Sequence, residues 1–105
     1  MSSKEDILIR IRNSVYSTEP GAKVILYGSF ARGDNRKESD MDIIILVDKE
    51  YISREDEKRI KYPLYEIEFD SGQIISPIVL PVKEWETRHK ITPFYQNVLS
   101  EGIEL

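Results

Sequence analysis

The sequence predicts an α/β (α+β) chain, a small mixed β-sheet flanked by helices. Three observations lead there. Short runs rich in β-branched residues, Val24-Ile25-Leu26-Tyr27, Ile43-Ile44-Ile45-Leu46-Val47 and Ile74 to Leu80, are bounded by turn formers and read as strands. Around them lie segments whose apolar residues recur at spacings of three and four, the helical period. Start signals (Ser or Thr) and stop signals (Gly or Pro-Gly) separate the two kinds of segment.

In chain order, Ser3-Lys4-Glu5-Asp6 starts a helix, with Ser3 as N-cap and an acid three residues on. Ile7, Leu8, Ile11 and Val15 make its apolar face, and Pro20-Gly21 stops it before the first strand. After the second strand comes a polar connection, Asp48 to Ile52, and then Ser53-Arg54-Glu55-Asp56 as a second capped start. Ile60, Leu64 and Ile67 form the stripe of this helix, Pro63 predicts a bend or a fresh start near Tyr62, and Asp70-Ser71-Gly72 ends it. Pro77 and Pro81 put the third strand at a sheet edge, because proline cannot donate to a ladder. Val82 to Arg88 reads as a short helix with Trp85 as a core anchor. Thr92-Pro93 opens a last helix that Gly102 closes, and the Phe94/Val98 and Tyr95/Leu99 pairs are expected to bury one face.

The chain has 105 residues, enough for one domain (1–105) with a single modest core. Apolar residues make up 40% and charged residues 32%, an ordinary balance for a soluble protein. Without cysteine there is no disulfide, thiolate nucleophile or Cys-based zinc site, and the one histidine, His89, excludes a His-rich metal site. No run approaches the roughly 20 apolar residues of a membrane span, and no signal-peptide core begins the chain, so a cytoplasmic location without membrane contact is expected. A net charge of −4 argues against nucleic acid as a partner. The charge is uneven: seven Lys/Arg face four Asp/Glu in residues 1–37, and eight face fifteen beyond. A local basic rim can therefore border an anionic ligand.

The chemistry concentrates between the first two strands, from Gly28 to Asp42. On a strand, Asp40 and Asp42 point one way and Met41 the other, and two residues rise roughly 6–7 Å. Carboxylates so placed can converge on a divalent cation, since Mg2+ takes one or two carboxylates together with substrate phosphates and water. Taken alone, the pair reads rather as solvated acids at a strand mouth. Gly28 changes that reading, because a glycine after a buried strand allows a sharp turn and close ligand approach. Ser29 then opens a short helix whose free amides favour an anion, either as a plain N-cap or as a phosphate-binding hydroxyl. Arg32, nearest the turn, is a candidate triphosphate contact, whereas Arg36 and Lys37 read as solvated loop charges or partners of Asp34 and Glu38. Two rival motifs fail. A P-loop needs Gly-Lys-Ser/Thr where Ser29-Phe30 stands, and an EF-hand from Asp34 meets Arg36 at its third position.

Gly28-Ser29, ten residues, then Asp40-Met41-Asp42 resembles the signature of the DNA polymerase beta-like nucleotidyltransferase superfamily. Phe30-Ala31-Arg32-Gly33-Asp34 and Ser39-Asp40-Met41-Asp42-Ile43 are similar to the minimal nucleotidyltransferase (MNT) version of that motif. The resemblance implies a nucleotidyltransferase fold. It also implies ATP or another nucleoside triphosphate bound by Gly28, Ser29 and Arg32, with Mg2+ on the catalytic Asp40 and Asp42. The implied reaction is transfer of a nucleoside monophosphate, AMP from ATP, to a hydroxyl. With no second domain expected to select the acceptor, the resemblance points to a partner protein of the HEPN type, the two forming a toxin–antitoxin pair. The chain departs from the family at one point: a third carboxylate is expected on the strand after the intervening helix, and Gln73 to Leu80 contains none. Glu66, Glu68 and Asp70 precede it, with Asp70 as the candidate to reach in. The alternative to an enzyme is therefore a catalytically degenerate module that binds nucleotide or partner.

Overall fold

The computed structural model describes residues 3–87 and 90–105. The elements are α1 (Lys4–Thr18), β1 (Lys23–Tyr27), α2 (Ser29–Arg32), β2 (Met41–Val47), α3 (Arg54–Ser71), β3 (Ile75–Pro81), α4 (Val82–Thr87), α5 (Pro93–Glu101) and β4 (Ile103–Glu104). The sheet order is β3-β2-β1-β4, with β2 parallel to β3 and antiparallel to β1, and β4 antiparallel to β1. This is the expected mixed sheet with flanking helices. The expectations for His89 and for the end of the short helix at Arg88 lie outside the described residues.

Strand β2 is central because it is apolar on both faces. Met41, Ile43, Ile45 and Val47 join the core under α1 and α3, while Ile44 and Leu46 join a smaller cluster with Trp85, Tyr95 and Val98. A strand sandwiched in this way loses the usual polar alternation; in β2 only Asp42 is not fully buried. The parallel step from β2 to β3 needs a long crossover, and α3 supplies it.

Helices α1 and α3 cover one face with Ile7, Ile11 and Val15, and with Ile60, Leu64 and Ile67. Both start as expected. The Ser3 hydroxyl accepts from the Asp6 amide at 3.1 Å, and Ser53 and Asp56 form a reciprocal capping box at 3.0 and 3.2 Å. Helix α3, however, runs through Pro63 as one helix instead of starting afresh near Tyr62. Proline there removes one backbone donor, at a cost of about 3 kcal/mol. Burial of Ile60 and Leu64 on either side, each worth roughly 1.5–3 kcal/mol, offsets it. At the foot of this layer Glu19, Lys49, Asp56 and Arg59 form an ion-pair network with contacts of 2.6 to 3.4 Å. Its Lys49 and Arg59 hydrogen bonds hold the Asp56 carboxyl well below the usual carboxylate range.

Strand β3 occupies the edge, as Pro77 and Pro81 require. The other face of the sheet carries α4 and α5, with Trp85 as the buried anchor. In α5 the buried residues are Tyr95 and Val98; Phe94 is exposed, and Leu99 is 61% exposed, so the expected four-residue pairs do not form the buried face. Phe94 instead meets Tyr27 and Trp85 edge-on, with ring centroids 5.4 and 5.8 Å apart. Sequence periodicity also gave no hint of β4, which is two residues long and held by the Leu105 amide on the Val24 carbonyl at 2.8 Å. Among the described residues no helix is long and apolar enough to cross a membrane.

Gly102 makes the α5–β4 junction possible, because a Cβ there would run into the Val98 carbonyl and lie 2.9 Å from the Ile25 side chain. Gly102→Ala is expected to cost about 1–3 kcal/mol in urea unfolding, the range for overpacking. Gly21→Ala, where a Cβ meets nothing within 4 Å, should leave the midpoint nearly unchanged.

Candidate active site

Antiparallel pairing of β1 with β2 sets the end of one strand beside the start of the other, and Tyr27 stands opposite Asp42. The next residue, Gly28, has φ 77° and ψ −155°, a conformation that L-residues with side chains rarely adopt. A Cβ on Gly28 would lie 2.5 Å from Asp42 Oδ2. Glycine is therefore required twice here, by its backbone and by the carboxylate against it.

From Gly28 the chain enters α2. The Ala31 and Arg32 amides both donate to the Gly28 carbonyl at 3.1 Å, and Gly33, at φ 81°, closes the turn. As first residues of the helix, Ser29 and Phe30 have amides with no intrahelical acceptor. Gly28 is the cap, so Ser29 is not one, and its half-exposed hydroxyl has no hydrogen-bond partner among the described residues. Buried Phe30 anchors the turn in the core. The following loop is fastened just before the aspartates: the Arg36 amide donates to Ser39 Oγ at 2.7 Å, and Gln73 Nε2 donates to the Ser39 carbonyl at 2.9 Å.

Asp40 precedes β2 by one residue and is exposed; Asp42 is half-buried on the face carrying Ile44 and Leu46, while Met41 is fully buried on the other face. Burial, and then the negative charge of Asp40, raise the Asp42 pKa, with Arg32 pulling the other way. Burial and the charge of Asp42 likewise raise the Tyr27 phenol. Asp42 thus senses the charge of Asp40. Arg32 is near enough to act on Asp42 but is engaged elsewhere, by Asp34 at 3.1 Å and Glu101 at 3.2 Å.

No third acid joins the pair. On β3, Ser76 is in register with Asp42, and its hydroxyl donates to Asp40 Oδ2 at 3.4 Å; Ile78 follows on the same face. Asp70 does not reach in. It pairs with Arg10 at 3.0 Å on the α1–α3 side, while Glu68 accepts from the Ile75 amide at 2.7 Å. Among the described residues no three His, Cys, Asp or Glu side chains are grouped to hold a metal. Two hard oxygen donors beside one another, with Arg32 as an opposing charge, still suit a divalent cation that completes its shell from substrate phosphates and water.

Sequence reasoning did not single out Tyr27, Ser76 and Glu101. The first two follow from counting register outward from Asp42 once the strand pairing is known. Glu101 carried no local signal, since it lies 69 residues from Arg32.

A family model described as a nucleotidyltransferase domain matches residues 8–99. The chain is a nucleotidyltransferase, of the minimal type. It is 45% identical over 84 residues, 79% of its length and 77% of the relative's, to "Putative protein adenylyltransferase MJ0141" of Methanocaldococcus jannaschii. It is 39% identical over 83 residues, 76% of its length and 73% of the relative's, to "Putative protein adenylyltransferase MJ0604" of the same organism. Its fold is similar to that in a crystal structure of a toxin–antitoxin with AMP-PNP, with a TM-score of 0.61 and 19% identity over 97% of this chain and 72% of the other. Nucleotidyltransferases of this family generally use a divalent metal.

Two outcomes test the geometry of the nucleotidyltransferase site. Gly28→Ala must either shift the strand end or displace Asp42, and should lower stability by about 1–3 kcal/mol in urea unfolding. For Asp42, a folded pKa above the unfolded one means that the ionised form opposes folding, so its cost appears as pH rises through the carboxylate range. Asp42→Asn should therefore melt higher than the parent at pH 7, with the gap closing in acid, as read by thermal unfolding across pH.

Proposed function

We propose that residues 1–105 work as one unit that transfers AMP from ATP, with Mg2+, to a hydroxyl on a partner protein in the cytoplasm, and that the partner is an HEPN-type toxin whose antitoxin this chain is. The observation that carries the reading is the Gly28–Asp42 contact. It sets a turn with free amides and a free Ser29 hydroxyl directly against a carboxylate pair. The names of the relatives support adenylyl transfer to protein, and the AMP-PNP complex of the structural neighbour supports ATP and a toxin–antitoxin setting.

On this reading the Ser29 hydroxyl and the first amides of α2 receive the β- and γ-phosphates, and glycine at 28 lets them come close. Arg32 exchanges Asp34 and Glu101 for phosphate oxygens; exposed ion pairs are worth about 0–1 kcal/mol, so the exchange is easy. Asp40 and Asp42 would hold the Mg2+, which supplies charge neutralisation and alignment at the α-phosphate. The acceptor hydroxyl oxygen forms a bond to the α-phosphorus as the bond to pyrophosphate breaks, and the hydroxyl proton passes to water at the open site. With no acid on β3, the strand where the family pattern expects a third carboxylate, the remaining ligands would come from substrate and water.

The decisive measurement is label transfer from α-labelled ATP with Mg2+ to the product of the adjacent reading frame, which this reading expects to be an HEPN-type protein. Label should appear on a tyrosine of that protein and fall about 100-fold or more in Asp40→Ala and in Asp42→Ala, as when a charge-stabilising group leaves a site. Tight co-purification without any transfer, or transfer that survives both substitutions, would overturn the assignment.

A further inference from the structure

Helix α3 already buries Ile60, Leu64 and Ile67, yet its outer face is also aromatic. Tyr62 is 57% exposed, Tyr65 41% and Phe69 93%, at spacings of three and four that place them in one stripe. A groove of about 730 Å³ runs beside them, lined by Arg10, Tyr62, Tyr65, Glu66, Phe69 and Asp70. A smaller one of about 200 Å³ continues toward Arg54, Lys58 and Lys61. Contiguous exposed apolar surface of this kind marks an interaction site.

The charges flanking the stripe say what fits it. Beside its N-terminal half the groove is lined by Arg54, Lys58 and Lys61 against one acid, Glu57, and beside its C-terminal half by Glu66 and Asp70. Among the described residues Arg54, Lys58 and Glu66 make no ion pair. The surface beside the stripe is thus net basic at one end and acidic at the other, and with aromatic rings between them it is complementary to its own antiparallel copy. We propose that α3 is a self-association surface on which a second copy of this chain packs its own α3 antiparallel, about a two-fold axis between Tyr62 and Tyr65. Such an isologous contact brings each patch against itself. Tyr62 then meets Tyr65 of the second copy, Lys61 meets Glu66, and Lys58 lies over Phe69 and beside Asp70. Glu57 also approaches Asp70; Arg10 pairs with Asp70 at 3.0 Å, and Lys61, 2.6 Å from Glu57, is shared between that acid and Glu66 of the second copy. A parallel arrangement would instead set the basic halves against each other.

The stripe lies on the α1–α3 layer, across the sheet from Asp40 and Asp42, so association leaves the catalytic end open. It also stands independently of the adenylyl-transfer reading. One helix pair is a small interface, below about 1,200 Å², so the dimer is in exchange with monomer.

Sedimentation velocity from about 5 to 500 µM tests it on the purified chain, the span over which a contact of this size should dissociate. The mass should rise from 12.3 kDa toward twice that value. Lys61→Glu and Glu66→Lys should each weaken the dimer about tenfold, since two-fold symmetry counts every lost pair twice. The double variant should recover most of the loss. Phe69→Ser, at a side chain with almost no intrachain burial, should abolish association while the far-ultraviolet circular dichroism stays native. A monomer at every concentration, a dimer indifferent to both charge reversals, or a double variant that fails to recover would overturn the proposal.

Discussion

The contact between Gly28 and Asp42 depends on a strand register that the rest of the molecule exists to hold. Side chains alternate with a period of two, so a one-residue slip of β2 would send Asp42 into the core and Met41 to the surface. The slip is blocked because both faces of β2 are sorted. Ile43, Ile45 and Val47 fill the space under α1 and α3, and Ile44 and Leu46 fill the space against Trp85, Tyr95 and Val98. Helices α1 and α3 therefore position the two aspartates from the other face of the sheet, while α5 reaches the site through the Glu101–Arg32 pair. Changes in the core propagate to the site through register, not through direct contact.

This arrangement sets stability against reactivity. Asp42 is partly withdrawn from water next to Asp40, and the positive charge that opposes their repulsion, Arg32, is divided between Asp34 and Glu101. A protein selected for stability alone would not place two like charges at a strand mouth; perturbed carboxylates of this kind cluster at functional sites. Elsewhere the same chemistry is used the other way, in the Glu19–Lys49–Asp56–Arg59 network, where each acid has two cationic partners. The contrast marks which acids serve folding and which do not.

Much of this was legible in the sequence, for identifiable reasons. The strands, the caps at Ser3 and Ser53, the stop at Gly72 and the edge position of β3 all follow from local chemistry of a few residues, and the structure reproduces them. Gly28, Ser29, Asp40 and Asp42 could be picked out because a turn and a strand start impose residue types at fixed spacing. What escaped was non-local. Pro63 sits within a continuous helix because burial on either side outweighs one lost hydrogen bond. Leu99 faces water because the sheet already has Tyr95 and Val98 against it. The two-residue β4 exists only because β1 offers it an edge. Arg32's partner Glu101 comes from the far end of the chain, and no short-range pattern announces such a pair.

The sheet divides the chain into unequal layers, and the inequality bears on how transfer could be controlled. On one side, 15-residue α1 and 18-residue α3 make a continuous cover. On the side of the aspartates, α4 has six described residues and α5 nine, and they pack over Ile44 and Leu46, beyond which Asp42 remains half-buried and Asp40 exposed. A groove of about 290 Å³ borders the loop just before the aspartates, lined by Lys37, Glu38, Ser39, Gly72, Gln73 and Ile74. A phosphoryl-transfer site left this open admits water, which competes with any acceptor and weakens every electrostatic contact inside. On the proposed reading, the missing roof is the acceptor protein: docking excludes water and delivers the hydroxyl in one event. Nucleotide held in the absence of that protein would then turn over slowly, because the same surface that opens the site to a large acceptor leaves the reaction without its enclosure.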